Sequence, residues 1–175
     1  MPAPVDPDHT TLMIKPAGSG CNLRCGYCYY LPVAEHHPPS RMTEATLEQT
    51  LRGVLPRFGD RVTIAWQGGE PTLAGLDFFR RALEIQRDYA RPGQRIDHAL
   101  QTNGTLLDDD WCTFLADNGF LVGLSLDGPA PLHDAYRVDN AGAPTHARVE
   151  AAMERLTRRG VEFNILSVLN DKTIA

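Results

Sequence analysis

Long apolar runs are missing from this chain of 175 residues. The longest are a few residues, such as Phe120-Leu121-Val122, against the roughly 20 that a membrane-spanning helix requires, so no membrane helix is expected. A charge block of one sign is missing as well. Lys plus Arg is 17 and Asp plus Glu is 22, a net charge of -5 spread along the sequence, and the basic footprint of a nucleic-acid-binding surface is absent. Met1 to Asp8 hold three prolines and two acids but neither a basic nor an apolar stretch. That excludes a secretory signal of ordinary form and points to the cytoplasm. Four cysteines are too few for a disulfide-stapled miniprotein, while 42% apolar residues suffice for a core and exclude a disordered chain. At about 150 residues per domain, the length fits one domain over residues 10–175, behind a leader over residues 1–9 expected to be disordered.

What is present is an alternation of strand and helix patterns. Thr10 to Lys15 is a short strand ended by Pro16 and Gly18. A helix capped by Thr43 presents Leu47, Leu51, Val54, Leu55 and Phe58 on one face and is closed by Gly59. The strand Arg61–Trp66 breaks at Gln67-Gly68-Gly69-Glu70-Pro71. A helix around Leu76, Phe79, Leu83 and Gln86 precedes a strand from Ile96 to Gln101, which opens into Thr102-Asn103-Gly104. Asp108 caps a third helix that buries Trp111, Phe114 and Leu115. The strand Phe120–Leu126 ends in Asp127-Gly128-Pro129. A fourth helix runs from about Thr145 to Arg159, and a fifth strand from Val161 to Leu169. This spacing means βαβ units and a parallel sheet, open and doubly wound or curled into a barrel. Both architectures bind ligands at the carboxyl ends of the strands, where the unusual polar loops all fall.

Cys21, Cys25 and Cys28 lie within the first of those loops, with Gly26 expected to let it turn. Soft thiolates select zinc or an iron-sulfur cluster, and three are one short of a closed site. A fourth ligand from His36 or His37 would complete a zinc site; disulfides would require an oxidising compartment and leave one thiol over. Cys112, beside Trp111 on a helical face, reads as a small buried hydrophobe. Gly68-Gly69-Glu70, Asn103 and the Ser125-Leu126-Asp127 segment are each common turn chemistry taken singly. Their position on one rim makes them candidates for ligand contact: glycines admit close approach, a carboxylate suits an ammonium, and period two puts Ser125 and Asp127 on one side of their strand.

The string Cys21-Asn22-Leu23-Arg24-Cys25-Gly26-Tyr27-Cys28-Tyr29-Tyr30 resembles the cluster loop of radical S-adenosylmethionine (radical SAM) enzymes, with the aromatic Tyr27 that the superfamily favours before its third cysteine. The later loops strengthen the resemblance. Gly68-Gly69-Glu70 resembles the superfamily's GGE motif. Trp66-Gln67, Gln101-Thr102-Asn103-Gly104 and Ser125-Leu126-Asp127-Gly128-Pro129 followed by His133-Asp134-Ala135-Tyr136-Arg137 resemble a narrower group, the anaerobic sulfatase-maturating enzymes and their relatives that carry a SPASM domain.

The resemblance implies a partial (β/α) barrel, here truncated after about five strands where the superfamily has six units, with no Cys-rich SPASM domain within the chain. It implies a [4Fe-4S] cluster on Cys21, Cys25 and Cys28, its fourth iron held by S-adenosylmethionine. The cofactor site would comprise Tyr27, Gly68, Gly69, Glu70, Asn103, Ser125, Asp127 and Arg137, with Glu70 toward the amino group and Arg137 a candidate for the carboxylate. His133 is not expected to act as a base, and no residue is assigned a catalytic role. The implied reaction begins with a 5'-deoxyadenosyl radical that abstracts hydrogen from a Cys or Ser of a sulfatase peptide, leading to formylglycine, with ferredoxin or flavodoxin supplying electrons. Maturation of another ribosomal peptide and a non-catalytic metal-binding module are the alternatives. A sheet short of a strand is expected to leave an exposed apolar edge.

Overall fold

Five runs rich in β-branched and aliphatic residues form five parallel strands in the computed structural model, which describes residues 9–36 and 40–170. They are β1 (His9–Ile14), β2 (Arg61–Trp66), β3 (Arg95–Thr102), β4 (Leu121–Ser125) and β5 (Phe163–Leu166), and the sheet order is the sequence order. Ile14 pairs with Trp66, Trp66 with Leu100, and Leu100 with Val122. An order without reversal is the order of a curled sheet, because a doubly wound sheet turns back at a switch point. The sheet is a partial barrel whose edges are β1 and β5.

The helices are α1 (Tyr30–His36), α2 (Glu44–Val54), α3 (Leu76–Tyr89), α4 (Asp109–Asp117), α5 (Ala130–His133) and α6 (His146–Arg159). Alternate strand residues, among them Val62, Ile64, Trp66, Leu100, Val122 and Leu124, form a single core with Leu47, Leu51, Phe79, Ile85, Leu115, Val149 and Leu156 of the helices. Cys112 is fully buried in it. Helix starts follow the caps: the Thr43 hydroxyl accepts from the Thr46 N–H and the Asp108 carboxylate from the Trp111 N–H.

Several expected boundaries move, and each has a local cause. The helix expected to reach Phe58 ends at Val54 and passes into a 3-10 turn over Leu55–Arg57, since Pro56 lacks an amide hydrogen and its ring clashes with the carbonyl four residues back. The fifth strand, expected from Val161 to Leu169, is confined to Phe163–Leu166, where β4 offers pairing partners. The short α1 and α5 carry too few residues to show a period. Residues 1–8 of the expected leader lie outside the described residues, and His9 already opens β1. Along the β5 side, Ile165, Leu166, Val168 and Leu169 are exposed, as a sheet edge without a further neighbour would leave them.

On its other face the sheet carries small residues in the middle of β2, β3 and β4. Ala65, Ala99 and Gly123 leave a hollow of about 250 Å³, bounded also by Gln67, Gln101 and Leu166. This hollow leads to the rim where the polar loops meet, because Gln67 and Gln101 also line the cavity there.

Candidate cofactor site

The three thiols of Cys21, Cys25 and Cys28 line one cavity of about 390 Å³ at the carboxyl end of the sheet. Of the other residues expected at the site, Tyr27, Gly68, Gly69, Glu70, Asn103, Ser125 and Arg137 line the same cavity. Asp127 does not; it lies beneath the wall. The sequence pattern therefore gathers the ligand-facing residues onto one surface and places one of them a layer deeper.

The cysteine loop is seated from two sides. Toward β2, the Gly69 N–H donates to the Gly18 carbonyl at 2.9 Å and the Glu70 N–H to the Gly20 carbonyl at 2.7 Å. A Cβ on Gly69 would come to 2.0 Å from the Gly20 oxygen, and Gly68 has φ of 132°. The close approach these glycines permit is thus to the segment leading into the cysteines. Toward α5, Leu23 bridges Asp139 in antiparallel fashion, and the Arg24 and Gly26 N–H groups donate to the Val138 and Tyr136 carbonyls at 2.8 and 2.9 Å. Gly26 is not among the glycines with positive φ. As expected, the loop turns there without needing a positive φ, the Cys28 N–H donating to the Cys25 carbonyl at 2.9 Å, and the backbone ribbon to Tyr136 and Val138 holds that turn in place.

Glu70 is buried and accepts four hydrogen bonds. Its Oε1 receives the Thr72 N–H at 3.0 Å and the Thr72 and Thr102 hydroxyls at 2.7 Å each, and its Oε2 receives the Asn103 N–H at 2.7 Å. Burial pushes its carboxyl above the usual glutamate range by more than these neutral donors bring it down. Asn103 turns its amide nitrogen to Asn22 Oδ1 at 2.9 Å and lies 3.8 Å from Cys21 Sγ, while its oxygen accepts from the Thr105 N–H and hydroxyl. The loop after β3 is thereby tied to the first cysteine. Burial pushes the Cys21 thiol up to about 11. Cys25 is also raised by burial, with Arg137 pulling the other way.

On the opposite wall, Arg137 donates from Nε and Nη2 to the two oxygens of Asp127 at 2.8 and 3.1 Å. The Tyr27 hydroxyl donates to the same carboxylate, the Val168 N–H reaches it at 2.9 Å, and the guanidinium stands 5.4 Å from the Tyr27 ring centroid. Burial alone would raise the Asp127 carboxyl, but the bonds from Arg137 and Tyr27 outweigh it and hold it below the ordinary value. The guanidinium groups not engaged by Asp127 lie against Cys25 and the cavity. Ser125 sits at the end of β4 on the same wall, buried.

The donor set fits an iron-sulfur cluster better than one metal ion. All four cysteines are free thiols, which leaves the disulfide alternative without support. His36 is exposed at the end of α1 and His37 lies outside the described residues. Among the described residues, no three His, Cys, Asp or Glu side chains are gathered tightly enough to grip a single ion. Three thiols spread around a roomy cavity suit a cluster in which each thiolate holds a different iron.

Sequence reasoning missed Asn22, Thr72, Thr102 and Thr105, whose hydroxyl and amide groups wire the loops together. Their signal was adjacency to the motif residues. His133, given no role above, and Arg137, placed only through the resemblance, are both buried.

Comparison with known proteins agrees with this geometry. The family model of the radical SAM superfamily matches residues 16–174. A cysteine-type anaerobic sulfatase-maturating enzyme of Clostridium perfringens is 45% identical over 166 residues, covering 93% of this chain and 45% of the relative. A serine-type anaerobic sulfatase-maturating enzyme of Bacteroides thetaiotaomicron is 42% identical over 164 residues, covering 91% of this chain and 39% of the relative. The solved structure of native anSMEcpe with bound AdoMet and Cp18Cys peptide superposes with a TM-score of 0.87 at 46% identity, over 94% of this chain and 44% of that one. The chain thus spans less than half the length of these relatives. With its family model, its curled parallel sheet and its three thiols on one cavity, the chain belongs to the radical SAM superfamily.

Proposed function

We propose that Cys21, Cys25 and Cys28 hold a [4Fe-4S] cluster with S-adenosylmethionine beside it, and that at the full length of its relatives the protein oxidises a Cys or Ser side chain of a sulfatase peptide to formylglycine. The observation that carries this reading is the convergence of the three thiols, Arg137, Ser125 and the Gly69-Glu70 loop on one cavity of about 390 Å³. When bound, the two cofactors supply the one-electron chemistry that removes a hydrogen atom from the substrate.

The chain's own residues do the holding. Arg137, already neutralised by Asp127, offers its remaining donors to the carboxylate of S-adenosylmethionine, a pairing for which the guanidinium fork is suited. Glu70 Oε2, with one donor, has acceptor capacity for the amino group, and Ser125 stands at the ribose or methionyl part. Asn103 fixes the first cysteine, and Asp127 serves as a structural partner. Tyr29 and Tyr30, with ring centroids 4.3 Å apart, wall the cavity on the side of Cys28. The Ala65, Ala99 and Gly123 hollow offers an extended peptide a way to the cavity. The substrate reading draws on relatives of both cysteine and serine type and on a relative solved with a peptide. Ferredoxin or flavodoxin as electron donor and a cytoplasmic location complete the proposal; none of the helices among the described residues is long and apolar enough to cross a membrane.

Anaerobic reconstitution tests it. The chain is expected to take up about four irons with a brown chromophore, and Cys25→Ala to lose both. The full-length protein, given dithionite and S-adenosylmethionine, is expected to release 5'-deoxyadenosine and convert a sulfatase peptide. Zinc uptake without cleavage would overturn the reading in favour of a metal-binding module, and conversion of an unrelated precursor peptide alone would move the substrate.

A further inference from the structure

His133 is fully buried, yet it lies outside the hydrophobic core, in the short α5 between two polar loops. Its Nδ1 accepts from the Asp127 N–H at 3.3 Å. That leaves its proton on Nε2, which reaches the Thr145 hydroxyl at 3.0 Å, and this hydroxyl donates to the Arg137 carbonyl at 2.6 Å. The Arg137 guanidinium then returns to the Asp127 carboxylate. The four residues close a ring: Asp127 and Arg137 are joined once through their side chains and once through His133 and Thr145.

Thr145 shows that the ring is not a by-product of helix capping. It occupies the N-cap of α6, where a threonine hydroxyl ordinarily accepts an N–H of the first turn. Here it makes no cap bond. Asp134 takes over, accepting from the Thr145 and His146 N–H groups at 2.8 and 2.9 Å. A capping hydroxyl is thus diverted to the backbone of the residue whose guanidinium lines the cavity.

We propose that His133 and Thr145 are positioning residues that aim Arg137 at the cavity and thereby set the affinity for the carboxylate of S-adenosylmethionine. This rests on the cofactor reading above. An arginine side chain carries about 2 kcal/mol of rotamer entropy, and fixing it before binding transfers that loss from the binding step to folding. Both ends of Arg137 are fixed, the guanidinium by Asp127 and the carbonyl by Thr145. His133 holds the Asp127 backbone against the same hydroxyl.

The test compares two ligands on the reconstituted chain: S-adenosylmethionine and its decarboxylated analogue, which gives Arg137 nothing to bind. Thr145→Val is expected to weaken S-adenosylmethionine about tenfold while leaving the analogue and the iron content within about twofold. Thr145→Ser, which keeps the hydroxyl, is expected to restore the parent's affinity. His133→Asn, which keeps an acceptor for Asp127 but loses the donor to Thr145, is expected to match Thr145→Val and serves if that variant does not fold. Equal losses for both ligands would make the ring merely structural and overturn the proposal, as would unchanged affinity in Thr145→Val or His133→Asn. If the parent takes up its cluster but binds neither ligand, the cofactor reading itself falls and this inference with it.

Discussion

Glu70 and Asp127 are both buried carboxylates at the carboxyl ends of strands, and the protein holds them in opposite ways. Glu70 is met only by neutral donors, the hydroxyls of Thr72 and Thr102 and two backbone N–H groups, and desolvation wins, raising its proton affinity. Asp127 is met by a guanidinium and a phenol as well as an N–H, and it is held below its ordinary value. Burial alone therefore does not decide the state of a carboxylate on this rim; the charge of its partner does. The neutral arrangement ties two loops together, whereas the charged one anchors an arginine that reaches the cavity.

The largest effect that would break this contrast is Asp127→Ala. It leaves the Arg137 charge buried without its counterion, and unfolding in urea is expected to show a loss of about 3–5 kcal/mol. Next comes His98, a third buried ionisable group, packed among Trp66 and Phe120 with its Nδ1 accepting from the Trp66 indole. Its value is lowered from 6.5 to about 4 by burial. Below pH 6.5 the unfolded chain takes up a proton that the folded chain resists, so stability is expected to fall between pH 6.5 and about 4, by at most about 3 kcal/mol. His98→Phe should flatten that limb of the pH profile.

Glu70→Gln probes the neutral arrangement. The amide keeps an acceptor for the threonines but turns a donor toward the Asn103 N–H, for an expected loss of about 1–2 kcal/mol. It should also abolish a pH dependence of opposite sign to that of Asp127. A raised carboxyl stabilises the fold at low pH, and that contribution is lost as pH rises from the unfolded glutamate value toward the folded one. A depressed one contributes above the unfolded aspartate value, near 3.8, and is lost as pH falls below it. Smallest is Tyr27→Phe. Removing one donor while leaving Arg137 in place is expected to lower stability by about 1 kcal/mol, and an Asp127 carboxyl still titrating below the ordinary range by NMR would confirm that the guanidinium dominates.

The legibility of this molecule in its sequence follows the range of the interactions. The order of strands and helices, the Thr43 and Asp108 caps and the cysteine spacing are local, and each was readable from a few adjacent residues. Ser125 was readable as a rim residue because a strand end fixes which side chains reach the rim, whereas Arg137, beyond α5, was placed only through the family resemblance. The deeper place of Asp127 was not readable, because it depends on Tyr27, a hundred positions away, and on Arg137. Glu70 was expected to face an ammonium, and the four donors that hold it come partly from Thr102 and Asn103 at the end of the next strand and just beyond it. The turn at Gly26 was readable from the glycine itself; the ribbon to Tyr136 that holds it in place comes from a distant segment and leaves no trace near residue 26. Pro56 was the one local signal passed over, and the helix stops ahead of it.

That ribbon also sets a schedule. The cysteine loop is completed by backbone bonds to Tyr136 and Val138, residues that leave the ribosome long after Cys28. At about 5–20 residues per second, the three thiols wait on the order of ten seconds for the strand of backbone that orders them. A nascent chain halted before Tyr136 emerges is expected to alkylate rapidly at Cys21, Cys25 and Cys28, and one with Asp139 clear of the ribosomal tunnel more slowly. On the proposed cluster reading, metal loading is then expected to be a late step of biogenesis, gated by the arrival of a distant segment, with the cysteines most open to oxidation in the interval before it.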